Sequence, residues 1–365
     1  MSRRGRVVVA MSGGVDSAVA AALLVEQGHE VVGLTMKLHG HLDTGTVTAE
    51  RGCCDLRAYS DARRVCDRLG IPHQVVDLSA EFRRDVMDVF ASEYFAGRTP
   101  NPCVLCNTRL KWEHLWQRAA QVEAEAIATG HYARVEREGA AWVLRRAASR
   151  DKDQSYALWG IQRERLARTL FPLGGLEKAQ VRDLARGLGL SVADKAESQD
   201  ICFVPDGDHV RFLRHHDPVA AAAAGGGEVV GPDGAVLGRH DGVAAYTVGQ
   251  RRGLGLALGR PHYVSRIDAA TGRVHLAKEQ DLYQSMLTAD GLNWLVQEPG
   301  GELSCQAAIR YRDPGSPCLV RVREGVAEVR FARPRRAIAP GQCVVFYQGD
   351  QVLGGGWIRS ARDSA

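Results

Sequence analysis

Between Arg6 and Lys37 the chain reads strand, glycine turn, helix, strand, and this order constrains the fold more than any other feature. Arg6–Met11 is a β-branched run, Ser17–Gln27 an amphipathic helix closed by Gly28, and Glu30–Lys37 a second apolar strand. The alternation continues with a helix over Asp61–Leu69, a strand over His73–Leu78, a helix over Glu81–Phe95 and a short strand over Ala126–Ala133. It predicts an α/β domain with a doubly wound parallel sheet, whose ligands lie at the carboxyl ends of the strands. Ile161–Leu190 predicts polar helix broken by Phe171–Gly175, and Ala220–Gly227 a flexible surface connection. From Glu228 onward the pattern changes to short alternating segments separated by Gly-Pro, Asp-Gly and Thr-Gly turns. Ala244–Val248, Tyr263–Ile267, Val274–Ala277, Cys318–Val322, Ala327–Phe331 and Cys343–Gln348 are expected strands of two small β-rich domains. The expected division is 1–203, 204–280 and 281–365.

A chain of 365 residues exceeds what one ordinary core organises, which agrees with two or three domains. No apolar run approaches the roughly 20 residues of a membrane helix. The stretch Val7–Ala10 is cut short by Gly13, Gly14 and Asp16, so it reads as a first strand and not as a signal peptide. A cytoplasmic protein without membrane contact is expected. The formal net charge of +4 is compatible with nucleic acid without requiring it. Arginine dominates the basic residues, and only six lysines occur, at positions 37, 111, 152, 178, 195 and 278. Against that background a retained lysine points to a place that wants an ammonium and not a guanidinium. Nine cysteines in a cytosolic chain of this size are expected to be buried apolar residues, metal ligands or redox-active thiols, not a disulfide framework.

Ala10, Met11, Ser12, Gly13, Gly14, Val15, Asp16 and Ser17 join the first strand to the first helix. Glycines let the backbone approach phosphates, and free N–H groups at the helix start bind them. Ser12 and Ser17 add hydroxyls, and Asp16 has the chemistry to hold a magnesium ion. No Gly-Lys-Ser/Thr closes the loop, so it is not a Walker loop. The octet resembles the pyrophosphatase loop of enzymes that split ATP into AMP and pyrophosphate. That class adenylates an oxygen so that it can leave, and it serves base amidation, argininosuccinate formation and RNA thiolation alike.

Asn101-Pro102-Cys103-Val104-Leu105-Cys106 leads into a helix that carries Arg109, Lys111 and Trp112. A thiol near a helix start beside two cations favours its thiolate. Cys202, within Glu197–Pro205, is the second candidate thiol. Cys53, Cys54, Cys66, Cys305, Cys318 and Cys343 stand in no polar motif and are expected to be small buried hydrophobes. Between Arg310 and Arg336, eight arginines face three carboxylates, a local excess suited to RNA backbone with Tyr311 available for stacking.

The loop at Ser12–Ser17, the segment Asn101–Trp112, Thr129–Arg134, Lys152–Tyr156 and the Cys202 segment occur in the order seen in bacterial tRNA-specific 2-thiouridylases. Tyr246–Leu254 and Arg310–Arg312 continue the match, so the chain resembles that family over essentially its whole length. The resemblance implies ATP on Ala10–Ser17 with contacts from Met36 and Gly130, and adenylation of the 2-oxygen of the wobble uridine in a tRNA anticodon loop. It implies that Cys202 receives sulfur as a persulfide from a relay or cysteine-desulfurase protein. Cys106 would complete the transfer, leaving a Cys106–Cys202 disulfide. Asn101, Pro102 and Cys103 would contact the target base; His131, Lys152, Asp153, Gln154, Arg310, Tyr311 and Gln342 would contact tRNA.

One position departs from the family. Many relatives carry Asp-x-x-Cys where this chain has Cys103-Val104-Leu105-Cys106, so an acid/base role of that aspartate does not transfer. Cys103 is then either a passive neighbour that shapes the base pocket or, with Cys106 and Cys202, a third thiolate for an iron–sulfur cluster. Two other readings remain open: a small-molecule amidotransferase of the same ATP class, and a zinc-dependent RNA-binding protein built on Cys103 and Cys106. A structural zinc wants four ligands, and no second Cys-x-x-Cys occurs.

Overall fold

Val7, Val8 and Val9 are buried on both faces of their strand, which is the environment of a central parallel strand. In the computed structural model, which describes residues 4–45, 56–196, 201–256 and 258–362, this strand is β1 (Arg4–Ala10). It pairs in parallel with β2 (His29–Lys37) on one side and β4 (Ala126–Ala128) on the other. β3 (His73–Asp77) lies outside β2, and a two-residue strand, Thr169–Leu170, outside β4. The order is therefore 3-2-1-4 plus an outer strand. Direction of winding reverses between β1 and β4, and in open α/β sheets such a switch point is where ligands bind. Helix α1 (Val15–Glu26) packs its alanine-rich length against one face, with Ala18, Val19, Ala20 and Ala21 fully buried. Leu115, Ala119 and Ala124 cover the other face.

By internal contacts the chain forms two compact units. The first comprises Met1–Val86, Cys103–Gly207 and Asp350–Leu353; the second comprises Met87–Pro102, Asp208–Gly349 and Gly354–Ala365. The second holds a four-stranded sheet of residues 227–277 around Val229, Tyr246, Val264 and Val274. It also holds an antiparallel sheet from Tyr283 onward, in which the strand Tyr283–Trp294 pairs with both Val326–Arg336 and the last strand, so the sheet closes on itself.

Several predicted elements differ. The strand expected over Ala126–Ala133 stops at Ala128, because the chain turns at Thr129-Gly130 and restarts at Ala133 as an antiparallel hairpin with Ala141–Arg146. Ala220–Ala224 is not a flexible connection. Pro218–Ala223 is helical, with Asp217 accepting from Ala220 N–H (2.8 Å) as N-cap and proline in the first turn. Ala244–Val248 contains a 3-10 turn, Val243–Ala245, in place of a strand. Within Ile161–Leu190 only Lys178–Gly187 is α-helix. The helix expected over Glu81–Phe95 holds a π-helical turn at Arg83–Met87. Cys53, Cys54 and Glu197–Asp200 lie outside the described residues. Among the described residues no helix is long and apolar enough to cross a membrane.

Candidate active site

The loop after β1 is held mostly by its own hydroxyls. Ser12 N–H donates to Ser17 Oγ (3.2 Å), which donates to Gly14 O (3.1 Å). Gly13 has φ +68°, and a Cβ there would fall 2.3 Å from Ala58 O, so no other residue fits. No side chain caps α1, which leaves the first N–H groups of the helix as donors for an anion. Gly130, at the end of β4, lies against this turn: a Cβ would sit 2.7 Å from Ser17 N and from Asp16 C. Met36 is half-buried at the end of β2, beside Val76 in the same apolar cluster.

Two distant lysines brace the loop. Both oxygens of Asp16 accept from Lys178 Nζ (2.7 and 2.8 Å), and Oδ1 also accepts from Tyr132 Oη (2.8 Å). Lys195 Nζ donates to Gly13 O (2.9 Å) and to Asp61 Oδ2 (2.6 Å). Burial of Asp61 opposes its ionisation, but hydrogen bonds from Lys195 and Arg64 outweigh it and hold the pKa below the usual carboxylate range. In this structure the Asp16 carboxylate serves an ammonium and a phenol.

Cys106 opens a nine-residue π-helical segment, Cys106–His114, a conformation often found at functional sites. Asp85 braces the far end of that segment. Its carboxylate takes two hydrogen bonds from Arg84 (2.7 and 2.8 Å) and lies 3.1 Å from His114 Nε2. Arg84 chiefly, helped by His114, keeps the Asp85 pKa low. Near the segment's start, Asn107 Nδ2 donates to Ala157 O (2.9 Å), and Lys111 Nζ donates to Asn107 Oδ1 (2.8 Å). Lys111 Nζ is also 3.4 Å from His131 Nε2, while His131 Nδ1 meets Thr129 Oγ1 at 2.6 Å. Burial first, and then the Lys111 charge, push the His131 pKa well below its ordinary value. The ring is therefore neutral, and an Nε2 facing an ammonium is its acceptor, so Nδ1–H donates to Thr129.

Lys37, Lys178 and Lys195 each reach a carboxylate, but among the described residues half-buried Lys111 meets only the neutral side chains of Asn107 and His131. An ammonium withdrawn from water without a counter-charge is a place for an anion. Through His131 it stands one residue from Gly130, which abuts the loop. Phosphate loop and cysteine helix are thus joined by Thr129-Gly130-His131.

Cys103 is exposed, whereas Cys106 and Cys202 are half-buried. Cys202 precedes Phe203, which is fully buried and packs edge-on to Phe82 with ring centroids 5.6 Å apart. Among the described residues no group of three or more His, Cys, Asp or Glu side chains is arranged to hold a metal ion. Cys103, Cys106 and Cys202 accordingly form no such group among the described residues. Cys66 behaves as expected of a buried hydrophobe, burial raising its pKa to about 11.

The expected RNA contacts divide into two kinds. Asp153 has a side chain only 7% exposed; its oxygens accept from Ala147 N–H (2.9 Å) and Ser155 Oγ (2.9 Å). Gln154 Oε1 accepts from Tyr132 N–H (2.9 Å). These two side chains work within the chain. Gln342 Nε2 donates to Thr99 O (3.1 Å) and Pro100 O (3.2 Å), so it supports the turn that presents Asn101 and Pro102. Arg310 and Tyr311 are exposed, with Arg310 reaching Arg336 O at 3.5 Å and Arg312 5.6 Å over the Tyr311 ring.

Residues 5–206 match the family model described as tRNA methyl transferase HUP domain. Residues 211–278 match the tRNA methyl transferase PRC-barrel domain, and 284–358 the Aminomethyltransferase beta-barrel domain. A curated relative from Salinibacter ruber, named tRNA-specific 2-thiouridylase MnmA, is 50% identical over 98% of this chain and 95% of its own length. The chain belongs to the tRNA-specific 2-thiouridylase family. Relatives of the same name from Geobacter metallireducens and Amoebophilus asiaticus are 49% and 46% identical, each over 98% of this chain and over 98% and 96% of their own.

As a thiouridylase-family site, this one has parts that sequence reasoning passed over. Lys178 and Lys195 carried a signal, being two of only six lysines in an arginine-rich chain. Asp85 carried none, because Asp-Val-Met in a helical run looks like any solvated face. Tyr132 stands in the Thr129–Arg134 segment with no role evident from its sequence, and the structure gives it the Asp16 contact.

Proposed function

We propose that this chain transfers sulfur to the 2-position of the wobble uridine in tRNA anticodon loops, at the expense of ATP. The reading rests on one observation above all: Gly130 lies against the phosphate loop while the next residue, His131, orients Lys111 on the Cys106 helix. ATP is read onto Ala10–Ser17, with Met36 and Gly130 beside it and Lys111 supplying positive charge to its phosphates. Magnesium would accompany the phosphates and neutralise charge there; Lys178, held by Asp16, is the resident cation of the same region.

In the first step the uridine 2-oxygen attacks the α-phosphate and pyrophosphate leaves. In the second, the outer sulfur of a Cys202 persulfide attacks C2 and AMP leaves, so the base is joined to Cys202 through two sulfurs. Cys106 thiolate then attacks Cys202 Sγ, releasing the 2-thiouridine and forming a Cys106–Cys202 disulfide. An external thiol must reduce that disulfide before the next turnover. Asn101, Pro102 and Cys103 are read as the wall of the base pocket, Cys103 passively. Arg310, Tyr311, Lys152 and His131 are read as RNA-side residues, with Gln342, Asp153 and Gln154 shaping the segments that present them. We read the segments 1–203, 204–280 and 281–365 as catalytic, central and RNA-binding parts of a cytoplasmic enzyme served by a sulfur-relay or cysteine-desulfurase protein.

The test is AMP and pyrophosphate release from ATP with and without tRNA. Release that depends on unmodified tRNA is expected. Release driven by a small amide acceptor, with tRNA inert, would replace this reading with the amidotransferase one.

A further inference from the structure

Arg251, Arg252 and Arg260 are exposed, and among the described residues their guanidinium groups enter no hydrogen bond or ion pair. Some other arginines of the same unit are matched: Arg273 meets Glu228, Arg335 meets Asp313, Arg336 meets Glu279 and Arg359 meets Asp290. Arg251 and Arg260 line a pocket of about 400 Å³ together with Gly253, Leu256 and His262, and no carboxylate lines it. Arg252 adjoins it in the chain.

The loop is braced in advance. Gln250 Oε1 accepts from Thr247 N–H (2.9 Å), and Gln250 Nε2 donates to Arg252 O (3.0 Å). Gly249 N–H donates to Val264 O (2.7 Å), and Val264 N–H to Gln250 O (2.9 Å). Ordering three unmatched cations in this way costs free energy through their mutual repulsion, so the arrangement points to an anion.

A short series of contacts leads from this pocket to the basic surface at Arg310. A Cβ on Gly249 would sit 2.7 Å from Ala337 Cβ, so the loop abuts the residue after Arg336. The Arg336 guanidinium lies 4.9 Å over the ring of Tyr263, which follows His262 of the pocket. Arg310 Nη1 in turn donates to Arg336 O (3.5 Å). Guanidinium groups that follow one another along this series match a sugar–phosphate backbone, where charge repeats and position is read without sequence.

We propose that Arg251, Arg252 and Arg260 form a second RNA contact, a subsite for backbone phosphates of the tRNA engaged by the Arg310–Tyr311 surface. This rests on tRNA being the substrate. The test uses the full chain with Arg251, Arg252 and Arg260 all changed to Ala, and again all changed to Lys. tRNA binding is measured across roughly 50–300 mM salt. In the Ala variant the slope of log affinity against log salt should flatten by about two to three, and affinity at the low-salt end should fall roughly 10- to 100-fold. KM for tRNA should rise while kcat at saturating tRNA stays unchanged, and the Lys variant should recover most of the slope. A wild type that binds tRNA beside an Ala variant with the same slope overturns the subsite and leaves the function reading intact. A variant that loses ATP affinity but not tRNA affinity overturns it in favour of a nucleotide site. A wild type with no tRNA affinity overturns the function reading itself.

Discussion

Around the phosphate loop each described cation has an assigned partner, whereas on the loop after Gly249 three arginines have none. Lys178 serves Asp16, Lys195 serves Asp61 and Gly13, and Lys111 is shared by Asn107 and neutral His131. Arg251, Arg252 and Arg260 face solvent unmatched. Half-buried charges need partners because desolvation is costly, and the partners fix their geometry, which suits one small ligand in one pose. Exposed arginines cost less to leave unpaired and tolerate many poses, which suits a long polyanion. Salt should therefore separate the two regions: the exposed contacts are screened within a Debye length, the half-buried ones much less.

The contrast breaks first, or holds first, at the thiols. Cys106→Ser and Cys202→Ser should each lower tRNA thiolation by about 10³-fold or more, as expected when a nucleophile is removed. Cys305 and Cys318 are buried on paired strands with their sulfurs 3.7 Å apart, and hydrogen bonding and burial raise the Cys318 pKa. Cys305→Ser should leave thiolation within about twofold and cost only stability. Product analysis by nucleoside mass would expose either error.

A second effect, about 10²-fold, is expected on AMP formation in Asp16→Ala, because the change frees Lys178 beside the phosphates with the fold intact. Normal AMP formation by a folded Asp16→Ala protein would make the ion pair incidental. Lys111→Met should act at the same step by about 10- to 100-fold, with little dependence on salt, since the charge it removes is half-buried. A Lys111→Met loss that vanishes at high salt would place Lys111 with the exposed class. The smallest effect belongs to Lys152→Ala and Arg310→Ala. Each should flatten the salt slope of tRNA binding by about one and leave kcat at saturating tRNA unchanged.

What the sequence made legible was local. Valine runs, a glycine turn and an alanine-rich helix specify β1, the loop and α1 within a few dozen residues, and the structure repeats them. The cysteine segment and the basic run after Arg310 were legible as composition. The hairpin after Ala133 was not, because apolar alternation runs through Thr129-Gly130 without a break and only the close packing of Gly130 on Asp16 and Ser17 explains the turn. The helix Pro218–Ala223 was missed although Asp217-Pro218 is a start signal, since five alanines in a row drew attention as low complexity. Partners distant in sequence were beyond pattern reading. Lys178 meets Asp16 across 162 residues, and Gln342 meets Thr99 across 243.

The most direct test of the account is a single reaction: purified protein, ATP, bulk unmodified tRNA and a persulfide donor, with the tRNA digested to nucleosides and weighed by mass spectrometry. The account predicts 2-thiouridine at the wobble position, formed with AMP and absent when ATP is withheld. AMP production without any thionucleoside, or sulfur on a different atom of the base, would contradict it.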